Sequence, residues 1–237
     1  MLGLSEKDKE KLNHNWQLIQ KALESYQSAE GNCEVRPQVV AVSKRQPSEK
    51  IRHFYSLGVR HFAENYLQEA RKKMEQLQDL DIQWHFIGQL QKKKVNEVVD
   101  LFSWIHSLDR LDIAKKIHDR GLATCKKAKV FLQVNIAQEE SKGGLLPSEV
   151  SNFLQELAQL SSLQAVGLMV FPPLAKEPQQ NGPWFAAGKN IFEKQKLQER
   201  EGFEHLSMGT SQDYKVALQH GATFVRIGEA LLGPRSQ

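Results

Sequence analysis

Eight short apolar runs, each followed by a pattern of helical period, restrict what this chain can fold into more than any single residue does. The runs fall at 39–42, 59–62, 84–87, 104–107, 130–135, 165–169, 203–207 and 224–227. Helical patterns occupy 48–57, 64–77, 90–101, 111–120, 147–160, 184–199 and 212–220. In the second of these Leu67, Ala70, Met74 and Leu77 make an apolar stripe, as Val150, Leu154 and Leu157 do in the fifth. Strands alternating with helices build βα units and a parallel sheet. Eight such units favour an α/β fold closed as one (β/α)8 TIM barrel over an open sheet, and 237 residues suit a single domain of that kind, 1–237. An additional N-terminal helix is expected at 9–28, with Leu12, Trp16, Ile19, Leu23 and Tyr26 on one face and a loop at 30–37 to end it.

Helix ends support this parsing. Gly58, Gly121 and Gly221 each follow a helical pattern and precede a strand, where a residue able to take positive φ stops a helix. Thr210-Ser211-Gln212-Asp213 matches a capping box, with the threonine hydroxyl and aspartate carboxylate expected on reciprocal backbone donors.

Composition excludes several classes. Apolar residues make up 40% and charged residues 25%, and no stretch approaches the roughly 18 apolar residues of a membrane helix. The start, Met1-Leu2-Gly3-Leu4-Ser5-Glu6-Lys7, mixes charges and does not read as a signal peptide, so a cytoplasmic protein is expected. Cys33 and Cys125 match no metal or redox spacing. The formal net charge is +4, and the densest basic run, Lys92-Lys93-Lys94, lacks interleaved aromatics; it reads as a solvated face, and no nucleic-acid partner is expected.

In a barrel of this kind the residues at strand C-terminal ends converge on one face. The first strand delivers Ser43 and Lys44 there. An amine held at the end of a buried strand loses hydration, and its uncharged, nucleophilic form gains. Lys44 reads as a Schiff-base lysine, a general base or an inert surface lysine. Near the other end of the chain, Ser207-Met208-Gly209-Thr210-Ser211 joins a strand to a helix, with hydroxyls and backbone N–H groups able to surround an anion. The next strand ends in Arg226-Ile227-Gly228, adding a cation and a second glycine. A phosphate site at the seventh and eighth units is a recurring use of this architecture. The alternatives are a turn with an N-cap for the first segment and a structural ion pair for Arg226.

Asn65 can orient a ring hydroxyl or a phosphate oxygen, or cap a helix, and Glu64 reads as an acidic first-turn residue of that helix. His61, His85 and His205 read as packed, hydrogen-bonded side chains before catalytic acids. Strand-end groups are mostly amides, hydroxyls and amines, which do not suit a binuclear metal centre. The proline-rich stretch 171–183 is a loop on the ligand-binding face.

Taken together, Ala41-Val42-Ser43-Lys44, His61-Phe62-Ala63-Glu64-Asn65-Tyr66-Leu67-Gln68-Glu69 and Trp84-His85-Phe86-Ile87-Gly88-Gln89-Leu90-Gln91 carry a wider resemblance. Gln133-Val134-Asn135-Ile136 with Lys142-Gly143-Gly144, then Gly167-Leu168-Met169 and Arg226-Ile227-Gly228, extend it over nearly the whole chain. The chain resembles the pyridoxal-phosphate homeostasis protein family, also called YggS/PROSC-like. It departs from the family's common wording at Ala63, Gln89, Lys92-Lys93 and Thr210, where glycine, proline, serine–asparagine and methionine are frequent.

The resemblance implies a barrel related to the N-terminal domain of alanine racemase and an internal aldimine between Lys44 and pyridoxal 5′-phosphate (PLP). It implies that Ser207, Gly209, Ser211, Arg226 and Gly228 form or support the phosphate site, with Asn65 and Met169 near the cofactor. A racemase needs acid/base groups on both sides of the substrate Cα, and in alanine racemase the counterpart is a tyrosine from an additional domain and a partner subunit. This sequence ends at Gln237, shortly after the last strand, so a monomeric, non-catalytic PLP carrier or regulator in vitamin B6 and amino-acid homeostasis is expected. It would exchange PLP with small amines or amino acids and make transient contact with PLP-dependent apoenzymes. A small PLP-dependent racemase or lyase and a non-covalent phosphate-metabolite barrel are the alternatives.

Overall fold

The computed structural model describes residues 3–30, 36–198 and 201–235. Eight parallel strands run in chain order around a closed barrel: β1 Gln38–Val42, β2 His61–Glu64, β3 Gln83–Phe86, β4 Trp104–Leu108, β5 Ala128–Val134, β6 Leu163–Val170, β7 His205–Ser207 and β8 Phe224–Ile227. Pairing of Val39 with Val225 and of Val40 with Arg226 closes it. Each apolar run finds cover on both faces, the helices outside and its own interior within, which is why these strands read as near-continuous hydrophobic segments.

The helices are α1 Glu6–Glu30, α2 Ser48–Ser56, α3 Leu67–Gln76, α4 Val95–Leu101, α5 Leu111–Thr124, α6 Val150–Leu157, α7 Gly182–Lys196, α8 Tyr214–Gln219 and α9 Glu229–Leu232. The expected N-terminal helix is α1. It packs on α8 and α9, buries Leu12, Ile19 and Tyr26, and holds the Leu231 carbonyl through Asn15 Nδ2 at 3.1 Å. The loop expected at 30–37 falls mostly on residues outside the described ones, as does Cys33; Cys125 is a free, exposed thiol. No helix of the described residues is long and apolar enough to cross a membrane.

Several boundaries differ from the sequence reading. The second strand begins two residues later than expected, because the Val59 N–H is spent on the Phe54 carbonyl at the end of α2. Glu64 therefore belongs to the strand, not to the following helix. Phe203 lies outside β7 and stacks on Phe192 of α7. The pattern at 90–101 starts as a 3-10 turn, Lys92–Lys94, whose three lysines are exposed, with Lys92 facing Asp112 at 3.3 Å.

Gly58 and Gly221 stop their helices at positive φ, but Gly121 does not. It lies inside α5, which ends at Cys125 in the left-handed region. A Cβ at Gly121 would meet Ser162 Oγ at 2.7 Å and the Lys126 carbonyl oxygen at 2.8 Å, so this glycine serves close packing. The capping box is half realised. Asp213 Oδ1 accepts the Thr210 N–H at 2.7 Å, while the threonine hydroxyl donates to that same carboxylate at 2.9 Å instead of capping backbone.

Alternation along each strand assigns side chains to the interior or to the helix layer. Val40, Ala63, Trp104, Phe131, Val166, Met169 and Phe224 pack inside, whereas Ala41, Phe62, Leu168 and Val170 pack against helices. Val166 and Met169 are three apart, which simple alternation forbids. The pairing of β6 with β5 supplies the extra residue: Ala165 faces Val130, but Gly167 faces Phe131. This bulge turns Met169 inward. Between Ile105 and Leu108, β4 carries a similar irregularity.

Gly167 lets the backbone pass β7 closely, since an added Cβ would lie 1.6 Å from the His205 carbonyl oxygen. Gly167→Ala is expected to destabilise the fold by about 3 kcal/mol, because β6 and β7 must part to admit the methyl group. Denaturant unfolding measures this, and an unchanged midpoint would show that the strands separate there without cost.

Candidate functional site

At the C-terminal ends of the strands lies a cavity of about 410 Å³, the size of a small-molecule site. Its wall includes Lys44 after β1, Asn65 after β2, Ile87 and Gln89 after β3, Ser107 and Asp109 at the end of β4, Gln133 of β5, Met169 of β6 and Arg226 of β8. Phe171 and Lys142 cover it from the loops after β6 and β5.

Lys44 is half-buried, and loss of hydration holds its amine below the ordinary lysine range, with the Arg235 and Arg45 charges acting in the same direction. A second lysine fixes the backbone around it. Lys73, 5% exposed on α3, donates to the Ser43 carbonyl at 2.6 Å, to Glu64 Oε1 at 2.7 Å and to Glu69 Oε1 at 2.6 Å. The Ser43 hydroxyl also donates to Glu64 Oε1 at 2.7 Å, and Glu69 Oε1 accepts the Arg45 N–H at 2.5 Å. Both chain neighbours of Lys44 are thus tied to one buried ionic cluster. Arg45 takes φ +56°, a conformation costly for a side-chain-bearing residue that this cluster helps hold. The sequence reading of Glu64 as a helix-cap residue is corrected: it is fully buried and belongs to this cluster.

Asn65 does not cap α3, whose N-cap is Tyr66 without a side-chain cap bond. Its Oδ1 is buried and finds no hydrogen-bond partner among the described residues. An orphaned acceptor in a cavity wall is costly unless a ligand or water supplies a donor.

Arg226 is 5% exposed and lies inside the barrel. Its Nη1 donates to the Ser207 carbonyl at 2.8 Å and to Ser207 Oγ at 2.9 Å, and its Nη2 donates to the Val170 carbonyl at 3.1 Å. Among the described residues it forms no ion pair, so the closing ion pair considered from sequence does not occur. Burial pulls its guanidinium down to about 10, with the Asp213 charge acting in the opposite direction.

The Ser207–Ser211 segment divides in two. The Ser207 side chain points inward to Arg226, while Ser211 Oγ accepts the N–H groups of Gly228 and Ala230 at 3.1 and 3.2 Å. The Gly209 carbonyl accepts the Arg226 N–H at 3.0 Å. Lys44, Asn65, Met169 and Arg226 therefore share the cavity wall, while Ser207 and Gly209 bond to Arg226 and Ser211 bonds to Gly228 and Ala230.

Nothing in the sequence alone distinguishes Ser107, Asp109 or Lys73 as part of the site. The irregularity in β4 hides the first two from simple alternation, and Lys73 looks like any helix-surface lysine until α3 packs. Asp109 accepts a hydrogen bond from the Gly144 backbone, and burial pushes its carboxyl up. Gln133 Nε2 donates to the Gly143 carbonyl at 2.8 Å, and Asn135 Nδ2 donates to the Glu139 and Lys142 carbonyls, so these amides shape the loop wall. Among the described residues no group of three His, Cys, Asp or Glu side chains is placed to hold a metal ion.

The family model "Alanine racemase, N-terminal domain" matches residues 8–236, nearly the whole of this barrel. More specific likenesses come from individual proteins. The pyridoxal phosphate homeostasis protein of Aquifex aeolicus is 38% identical over 226 residues, covering 95% of this chain and 97% of that protein. Its counterpart in Pseudomonas aeruginosa is 40% identical over 198 residues, 83% of this chain and 84% of that one. Among solved structures, PipY of Synechococcus elongatus with PLP bound is 34% identical, with a TM-score of 0.77 over 90% of this chain and 100% of that one. Alanine racemase of Clostridium difficile, 17% identical, shares the fold, with a TM-score of 0.71 over 94% of this chain and 56% of its own. The chain belongs to the pyridoxal phosphate homeostasis protein family.

Lys73→Met is expected to cost about 3–5 kcal/mol at neutral pH, because it leaves the Glu64 carboxylate buried and unpaired. Burial pushes the Glu64 carboxyl above its ordinary value. A carboxyl whose proton is held more tightly folded than unfolded favours the folded state at low pH and loses that contribution as pH rises through its folded pKa. The cost of Lys73→Met should therefore shrink as pH falls. Thermal unfolding across that range reads it, and a cost that stays constant would show that Glu64 is not the group left unpaired.

Proposed function

We propose that this protein binds PLP at the C-terminal mouth of its barrel through a covalent bond from Lys44 Nζ, and holds it for exchange without turning over a substrate. The observation that carries this reading is the cavity itself, where a desolvated amine, a buried cation without a carboxylate and an orphaned amide oxygen meet: Lys44, Arg226 and Asn65. These groups suit a small anionic molecule bearing an aldehyde and a ring hydroxyl. The solved relative PipY, described with PLP bound, supports the choice of ligand. PLP would supply an aldehyde carbon that condenses reversibly with an amine, its oxygen leaving as water, and a ring that withdraws electrons.

The chain's own residues then have distinct tasks. Lys44, whose charged form is disfavoured by lost hydration, provides the nucleophile. Asn65 Oδ1 accepts a hydrogen bond from the ligand, which relieves its missing partner. Met169, 6% exposed, gives the ring an apolar contact. Arg226 presents the N–H groups that Ser207 and Val170 leave free. Ser211 with the backbone of Gly209 and Gly228 offers a hydroxyl and a turn for the phosphate end, where Ser207 acts only through Arg226.

Exchange in place of turnover is favoured by the poverty of proton-transfer groups. Among the described residues the titratable side chains of the cavity wall are Lys44, Asp109, Lys142 and Arg226. Lys142 is paired with Glu139 at 2.5 Å and bonded to the Pro172 carbonyl at 3.2 Å, and no tyrosine lines the wall. A small amine or amino acid can displace Lys44, while Asp109, the wall's one carboxylate among the described residues, is engaged by Arg110 at 3.5 Å and by the Gly144 backbone.

Protein mixed with PLP should acquire visible absorption, and borohydride reduction should leave the added mass on Lys44. Lys44→Ala should abolish both; absorption that survives the substitution, or racemisation of an amino acid at an enzyme-like rate, would sink the proposal. Arg226→Ala should weaken PLP binding about 10- to 100-fold while permitting attachment to Lys44 at saturating PLP, as loss of a charged hydrogen bond implies. Unchanged affinity in a titration would remove Arg226 from the site.

A further inference from the structure

Behind Arg226 a chain of imidazoles crosses the barrel interior. His61 Nδ1 lies 2.8 Å from His85 Nε2, His85 Nδ1 lies 2.8 Å from His106 Nε2, and His106 Nδ1 lies 3.1 Å from Ser207 Oγ. His85 and His106 are fully buried. The rings are packed by aromatics: His85 stacks on Trp104 with centroids 5.1 Å apart, and His106 meets Phe131 at 4.2 Å. Burial keeps all three imidazoles neutral, pushing His61 to about 4 and the other two well below their ordinary value.

Neutral rings carry one proton each, which makes the direction of the chain countable. Arginine only donates, so Ser207 Oγ must accept from Arg226 Nη1. The serine's own proton then goes to the other neighbour, His106 Nδ1. That leaves the His106 proton on Nε2, donated to His85 Nδ1, and the His85 proton on Nε2, donated to His61 Nδ1. The opposite direction would aim two donors at Ser207 Oγ and leave its hydroxyl proton without an acceptor. In the chosen direction every ring turns its acceptor Nδ1 toward, and its N–H away from, a buried guanidinium that has no carboxylate partner, which lowers the cost of that charge.

We propose that His106, with His85 and His61 behind it, is a positioning residue for Arg226: by taking the Ser207 proton it fixes Ser207 Oγ as an acceptor and so sets the plane in which the guanidinium meets the ligand. The link to PLP rests on the function proposed above, whereas the direction of the histidine chain does not.

Nitrogen NMR of the unloaded wild-type protein should find His61, His85 and His106 all protonated on Nε2 and neutral at pH 7. An Nδ1 proton on His106 or His85 would overturn the proposal. His106→Leu should weaken PLP binding about tenfold, while His106→Asn, whose Oδ1 can stand in for Nδ1 as the acceptor, should restore most of it. In an Arg226→Ala background His106→Leu should cause no further loss, because its effect passes through Arg226. An equal loss in both backgrounds would mean that His106 acts through general stability and would overturn the positioning role. Wild-type protein that takes up no PLP would sink the proposed function, and the ring tautomers would still decide the direction of the chain.

Discussion

Closing a parallel sheet on itself obliges every strand residue to face either the barrel interior or the surrounding helices, and the functional face depends on that assignment. The interior admits a few bulky groups, here mostly aromatic, and the strand above them supplies the cavity wall. Two strands break strict alternation. The bulge at Gly167 exchanges the positions of Leu168 and Met169, placing sulfur and not an isobutyl group against the cavity, and the irregularity in β4 allows both Ser107 and Asp109 to reach it. Bulges near ligand sites re-aim side chains in this way without altering the rest of a sheet.

Two polar clusters then make the site rigid from opposite sides. On the helix side, Lys73, Glu64 and Glu69 bind the backbone before and after Lys44. On the interior side, Ser207 and the Val170 carbonyl fix Arg226. Each cluster contains a cation whose removal leaves partners buried and unsatisfied, so neither is a loose surface pair. Among the described residues the Lys44 amine belongs to neither network.

The electrostatic character of the cavity follows from the same arrangement. Two buried or half-buried cations face it, while the nearby carboxylate Asp109 is bonded to the Gly144 backbone and Glu139 is engaged with Lys142. Family membership and the relative PipY, solved with PLP bound, are consistent with PLP binding.

The eight βα units, the N-terminal helix and the placement of Lys44, Asn65 and Arg226 at strand ends were readable from local signals: apolar runs, helical periodicity and residue types at strand ends. Those signals act over a few residues, and the barrel obeys them. What only the tertiary structure decided was which atoms each residue meets. Ser207 lies in a segment that reads as one anion cradle, yet its side chain turns to Arg226 while Ser211 turns to Gly228, because β7 ends at Ser207 and the chain turns at Gly209 before reaching Ser211. Glu64 reads as a helix residue, yet starting β2 later buries it against Lys73. His61, His85 and His106 are unremarkable singly and form a directed chain only because β2, β3 and β4 lie side by side in the barrel. These outcomes depend on contacts between residues tens of positions apart, and closure of the barrel, not local propensity, selects them.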